Sequence, residues 1–123
     1  MNQAIQVDLA EKFALLNAYY TPKQVASIND TAFKIAKFKG PFTWHKHAEA
    51  DEMFLVFKGE LAVDFRAGKT LQAGEGQFIL IPRGLEHRPN PPAEVWVVIL
   101  EPEGVLNTGD VVNEFTVANV ECI

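Results

Sequence analysis

Gly40-Pro41-Phe42-Thr43-Trp44-His45-Lys46-His47-Ala48-Glu49-Ala50-Asp51-Glu52-Met53-Phe54-Leu55-Val56-Phe57-Lys58-Gly59 carries the densest chemical signal in this chain of 123 residues. Two of the three histidines, His45 and His47, stand two residues apart. On a strand, that spacing points both side chains to one face. With Ala48 to Asp51 as a hairpin loop, Glu52 falls directly opposite His47, their Cβ atoms roughly 5 Å apart. Two imidazoles and a carboxylate at such range suit a divalent transition metal. Asp51 is the rival to Glu52, but strand parity turns it to the other face or into the loop. Glu49 reads as a solvated residue.

The same alternation sorts the neighbours. Thr43, Phe54 and Val56 share the face of the ligands and are expected to line an apolar pocket. Trp44, Met53, Leu55 and Phe57 fall on the opposite face, with Lys46 near its edge. A strand apolar on both faces is buried on both. One face fills the interior; the other needs a cover, either an N-terminal helix or a second copy of the chain. Val95-Trp96-Val97-Val98-Ile99-Leu100 has the same two-sided character. A homodimer packed through Trp44, Met53, Leu55 and Phe57 is therefore expected.

Further along, the third histidine, His87, follows Pro82-Arg83-Gly84. A tight turn there aims a short strand carrying His87 back toward the hairpin, an approach that spacing alone leaves open. Arg83 and Arg88 bracket His87. One reading makes them an anion clamp at the pocket mouth; the favoured one makes them surface charge, paired with Glu86.

The order of these residues resembles the two motifs of the cupin superfamily. In the first, Gly40 precedes His45-Lys46-His47, then Glu52, then Gly59; in the second, Gly76 precedes Pro82-Arg83-Gly84, then His87, then Asn90. Gly40 stands one residue nearer His45, and Asn90 one residue nearer His87, than the family pattern has. Neither position binds metal in that family, so the departures touch loop geometry alone. The resemblance implies an all-β double-stranded β-helix, or jelly-roll barrel. It also implies that His45, His47, Glu52 and His87 line the barrel mouth as ligands of one ion: Fe, Mn, Zn, Ni or Cu.

The rest of the chain fits that frame. Asp8-Leu9-Ala10-Glu11 reads as a helix start, with Asp8 as N-cap. Leu9, Phe13 and Leu16 recur at helical spacing, so a short helix is expected over about 9–18, ended by Pro22. Strands are expected at Thr31–Phe38, Phe42–His47, Glu52–Phe57, Leu61–Phe65, Gln77–Ile81 and Val95–Leu100, separated by Gly- and Pro-containing turns. The barrel core spans about 24–102 within a single domain over 1–123. The tail from Pro102 is less regular and is expected to return along the barrel surface. Asn107-Thr108-Gly109-Asp110 reads as a turn, with a lid as the other reading.

The formal charge of -5 argues against nucleic acid and anionic membranes as partners. A lone cysteine, Cys122, excludes an internal disulfide. Met1 to Ala10 contains Asp8 and lacks a basic region and a long apolar run, so it does not read as a signal peptide. No stretch approaches the roughly 20 apolar residues of a membrane span. A cytoplasmic protein with a small-molecule ligand or substrate is expected.

Three functions remain open. The leading one is a metal-dependent oxidoreductase of the dioxygenase type acting on a small, largely apolar molecule, with Glu52 as ligand and as a base when displaced. A non-catalytic module binding a small ligand is the second. A sugar or sugar-phosphate isomerase or epimerase is the third; it requires cationic residues facing the cavity, and the sequence places none there.

Overall fold

The computed structural model describes residues 3–123; Met1 and Asn2, which open both the expected domain and the segment read for a leader, lie outside the described residues. Asp8 caps the helix α1 (Leu9–Phe13), its Oδ1 accepting from the Ala10 and Glu11 amides at 2.9 and 3.4 Å. The helix is shorter than the expected 9–18. After Phe13 the Leu15 and Leu16 amides turn to the carbonyls of Lys12 and Phe13, a tightening that ends the helix. The chain must straighten here, because Tyr19 bridges Lys37 and the Tyr20 amide donates to the Lys37 carbonyl at 2.9 Å. Pairing with the sheet overrides helical spacing.

Eight strands follow: β1 (Lys23–Ile28), β2 (Thr31–Phe38), β3 (Glu52–Lys58), β4 (Leu61–Phe65), β5 (Thr70–Ala73), β6 (Phe78–Ile81), β7 (His87–Pro89) and β8 (Val95–Pro102). They form two antiparallel sheets, ordered β1-β2-β8-β3-β6 and β5-β4-β7. β3 lies between β8 and β6, two strands distant in sequence, which is the crossing pattern of a jelly roll. β1, β5 and β7 are strands that alternation left unmarked. Conversely, Phe42–His47 is not a regular strand. It runs beside β7 through Phe42 N to Pro89 O and a reciprocal pair between His45 and His87.

Alternation along the strands builds two apolar layers. Phe38 of β2, Phe54 and Val56 of β3, Ile79 and Ile81 of β6, and Val95, Val97 and Ile99 of β8 point inward against Leu61, Val63 and Phe65 of β4. Ile35, Leu55, Trp96, Val98 and Leu100 point outward and pack with Phe13 and Leu16 of the N-terminal segment and with Ile123. Phe13 is fully buried and stacks on Phe57 and Trp96 at 5.0 and 5.1 Å. Burying such a ring contributes about 1.5–3 kcal/mol. The C-terminus therefore returns to the barrel, where Gln24 bridges Cys122 and the Ile123 carbonyl accepts from Lys12 Nζ at 2.6 Å.

The expected dimer face is divided by this arrangement. Leu55 and Phe57 are covered in part by Phe13 and its neighbours. Trp44 lies elsewhere, with the guanidinium carbons of Arg66 and Arg88 over its ring at 4.1 and 4.7 Å from the centroid. The reason is the altered pairing: with His45 paired to His87, the side chain next to it turns out over the three-stranded sheet. Phe78 and Leu80 of the edge strand β6, opposite Leu55 and Met53, remain exposed.

Candidate metal centre

His45, His47, Glu52 and His87 meet in the interior, each offering one ligand atom within 4.8 Å of the others. All four residues are buried. They arrive by a different route from the hairpin expected. Glu52 pairs with Ile81 of β6, not with His47, and the His47 carbonyl accepts from Gly84 instead. Ala48–Asp51 therefore crosses between the sheets. Glu52 approaches from the five-stranded sheet, and the three histidines approach from the layer built on β7.

The donor set fits a metal ion. His45 Nδ1 bonds the Thr43 carbonyl at 3.0 Å, and His87 Nδ1 bonds the Leu85 carbonyl at 2.8 Å. Each bond fixes a ring and leaves Nε2 as the coordinating atom. Glu52 sits between two rings, with Oε2 at 3.4 Å from His47 Nε2 and Oε1 at 3.4 Å from His87 Nε2. His47 Nε2, His87 Nε2 and Glu52 Oε1 are buried and have no hydrogen-bond partner. Orphaned polar atoms in a core are costly, at about 1–3 kcal/mol each, unless something absent from a bare chain satisfies them. The spread of the ligand atoms is close to twice a metal–nitrogen bond of about 2.1 Å.

Electrostatics favour the same use. Burial, helped by neighbouring His87, drives His45 down to about 4, against the opposing bond to Thr43. That ring is neutral and ready to coordinate at physiological pH. Burial pushes the Glu52 carboxyl up, but the closeness of His47, His87 and Glu101 outweighs it and holds Glu52 well below the usual carboxylate range.

Beside the cluster lies a cavity of about 30 Å³, lined by Tyr20, Pro22, Phe38, Phe42, His45, Glu52, Phe54, Pro89, Ile99, Glu101 and Asn107. A volume of that size admits about two water-sized groups. Of the three expected wall residues, Phe54 lines it. Val56 packs in the inner core, and Thr43 Oγ1 accepts from Asn113 Nδ2 at 3.0 Å; neither borders the cavity. Asp51 is exposed and pairs with Arg83 at 3.2 Å, while Arg88 pairs with Asp64 at 3.1 Å. Glu86 takes Arg66, not Arg83, as its partner. No arginine borders the cavity.

Three further features carry the site without having been singled out for it. Glu101 borders the cavity and bonds buried Lys34 at 2.7 Å. Burial and the nearby Glu52 charge push Glu101 upward, against the pull of Lys34. Its signal was available: extending β8 one step past Leu100 puts Glu101 on the inward parity, beside Glu52 in the β3–β8 register. Lys34 stands on the inward parity of β2 in the same way, beside Ala36 and Phe38. Finally, Asn107–Asp110 is a turn clamped to the ligand segment. Lys46 N donates to Asp110 Oδ1 at 3.0 Å, and Asp110 N donates to Lys46 O at 3.1 Å. Gly109, at φ 58°, leaves no room for a side chain, since a Cβ would lie 2.2 Å from the Lys46 carbonyl.

Comparison with known proteins agrees with this fold. A profile described as a cupin domain matches residues 35–101. A crystallised cupin-2 domain protein from Shewanella frigidimarina is 37% identical, with a TM-score of 0.76 over 79% of this chain and 94% of its own. A Neisseria meningitidis structure is 25% identical, with a TM-score of 0.73 over 80% of this chain and all of its own. The chain also resembles an uncharacterised Bacillus subtilis protein, YdbB, at 38% identity over 64 residues, spanning 57% of that relative's length and 52% of its own.

Proposed function

This chain belongs to the cupin domain family, and from that premise we propose that it is a metal-dependent oxidoreductase of the dioxygenase type acting on a small organic molecule. The observation that carries the reading is the set of orphaned buried atoms on His47, Glu52 and His87, gathered with His45 into one group. One divalent transition ion held there by His45, His47, Glu52 and His87 supplies Lewis-acid and redox chemistry. The chain supplies the rest. Thr43 and Leu85 orient two imidazoles, Phe38, Phe42 and Phe54 exclude water, and Glu52 is the base when displaced.

Lining chemistry supports this class over a sugar-phosphate isomerase. Phosphate recognition calls for cationic donors, and Arg83 and Arg88 are engaged by Asp51 and Asp64 outside the cavity. The test is elemental analysis of protein purified without added metal, followed by oxygen-electrode assays. Iron- or manganese-loaded protein is expected to consume O2 with a small thiol, diketone or enolisable acid. No uptake across such a panel, with metal bound, gives the function to a non-catalytic ligand-binding module instead.

The reading includes a two-fold homodimer and a cytoplasmic location. Exposed Phe78 and Leu80 on β6, next to Met53, support a sheet-edge dimer. The free, exposed Cys122 suits a reducing compartment, and fractionation tests it. No described helix is long and apolar enough to cross a membrane.

A further inference from the structure

Glu101 is a buried carboxylate with one occupied oxygen and one idle one. Its Oε2 accepts from Lys34 Nζ at 2.7 Å, and the two side chains are 3% and 4% exposed. Its Oε1 is buried and has no partner. The residue borders the same cavity as His45 and Glu52, yet it is outside the group of four that meets within ligand distance. An ion would therefore satisfy the orphans on His47, His87 and Glu52 and leave Glu101 Oε1 unanswered. Placing an ion pair in a core costs more in desolvation than packing apolar side chains there. That cost, with an idle oxygen at the end of it, marks a position kept for a ligand.

We propose that Glu101, held by Lys34, is the group that recognises a hydroxyl of the small molecule bound beside the ion. The inference rests on the metal-binding reading above. Other polar groups on the cavity wall are already engaged. The Tyr20 hydroxyl donates to the Gly40 carbonyl, Asn107 Nδ2 donates to Phe115 O, and Asn107 Oδ1 accepts from Val117 N. A ligand carboxylate or phosphate finds no free cationic side chain on the cavity wall, since Lys34 Nζ is already engaged by Glu101. A hydroxyl both donates and accepts, so it pairs with a carboxyl in either charge state. The cavity admits about two water-sized groups, enough for the polar head of a molecule and not its body. The ligand class is a neutral α-hydroxy ketone or its enediol: one oxygen at the ion, the adjacent hydroxyl on Glu101.

The probes are hydroxyacetone and its methyl ether, methoxyacetone, titrated against the manganese-loaded protein by relaxation of their methyl protons. Glu101→Leu alone strands Lys34 in the core, so the variant is Lys34→Met/Glu101→Leu, which removes both charges; Glu101→Gln, close in volume, is the second. The double variant is expected to keep one ion per chain, to bind hydroxyacetone at least about tenfold more weakly, and to bind methoxyacetone within about twofold of the parent. Glu101→Gln is expected to keep the ion. An equal loss for both probes, or a loss for neither, with the ion retained, overturns the role of Glu101 and leaves the metal reading standing. No hydroxyacetone binding by the loaded parent overturns it likewise. Loss of the ion in both variants makes Glu101 a metal ligand and also overturns it. A parent chain that takes up no ion sinks the metal reading and this inference together.

Discussion

His45 and His87 hold each other by the backbone as well as by their rings: His45 N donates to His87 O at 3.0 Å, and His87 N donates to His45 O at 2.8 Å. Their rings lie 4.4 Å apart. Two ligands are thus fixed by one antiparallel bridge, while Glu52 is fixed by its pairing with Ile81 in the opposite sheet. An ion shared by all of them ties the two sheets together. Metal loading is therefore expected to raise the unfolding temperature, by about 4 kcal/mol of stability at a thousandfold excess over Kd. Calorimetry with and without a chelator measures it.

Removing one ligand tests whether the four act together. His47→Ala is expected to lower metal affinity by more than the roughly 10–100-fold typical of losing an outer partner of a ligand. The far-ultraviolet dichroism is expected to stay that of a folded β protein, because His47 lies outside the regular strands. Full occupancy in that variant removes the four-ligand assignment.

Acid should weaken the metal-free protein through His45. Its folded value of about 4 lies below the ordinary 6.5, so folding favours the neutral ring. The contribution is present above pH 6.5 and is lost as pH falls toward 4. It amounts to about 3 kcal/mol at most. Denaturant titrations of metal-free protein at pH 7 and pH 4.5 check this, and His45→Gln is expected to flatten the difference.

Gly109→Ala is expected to damage the centre from outside it. The added methyl is forced against the Lys46 carbonyl, between two ligands, in a backbone region that penalises side chains. A cost of about 1–3 kcal/mol in stability and a measurable drop in metal affinity should appear together. Unchanged affinity in this variant shows that the tail does not brace the ligand segment.

Sedimentation equilibrium at micromolar concentration addresses assembly. A mass near 13.7 kDa sinks the dimer. If the mass is double that, Leu80→Asp is expected to dissociate it while leaving the monomer folded, because Leu80 is exposed in the isolated chain.

Most of the architecture follows from period-two alternation. Thr31–Phe38 and Leu61–Phe65 are strands with the very ends that their patterns suggest, and Glu52 begins β3. What alternation could not supply is partnership. Any two neighbouring strand-like runs read as a hairpin, and that reading sets His47 against Glu52. The chain instead sends Phe42–His47 to β7, and the four residues still converge, because a jelly roll brings its sheets together at that end. β7 has no alternation of its own, because three residues with a proline make no period; the turn at Pro82-Arg83-Gly84 is what points to a short strand at His87. Glu101 escapes notice because a charge at the end of an apolar run reads as its boundary, whereas here it continues the inward face; Lys34 lies within the Thr31–Phe38 run, on the inward parity with Ala36 and Phe38.

Trp44 gives the centre a voice of its own. This indole packs against Arg66 and Arg88, one residue from His45. The second indole, Trp96, is stacked on Phe13 in the outer layer. Open-shell ions such as copper or nickel quench a nearby excited indole, whereas zinc does not. Tryptophan emission is therefore expected to fall when copper or nickel enters and not when zinc does, so the chain needs no added dye to report its own occupancy.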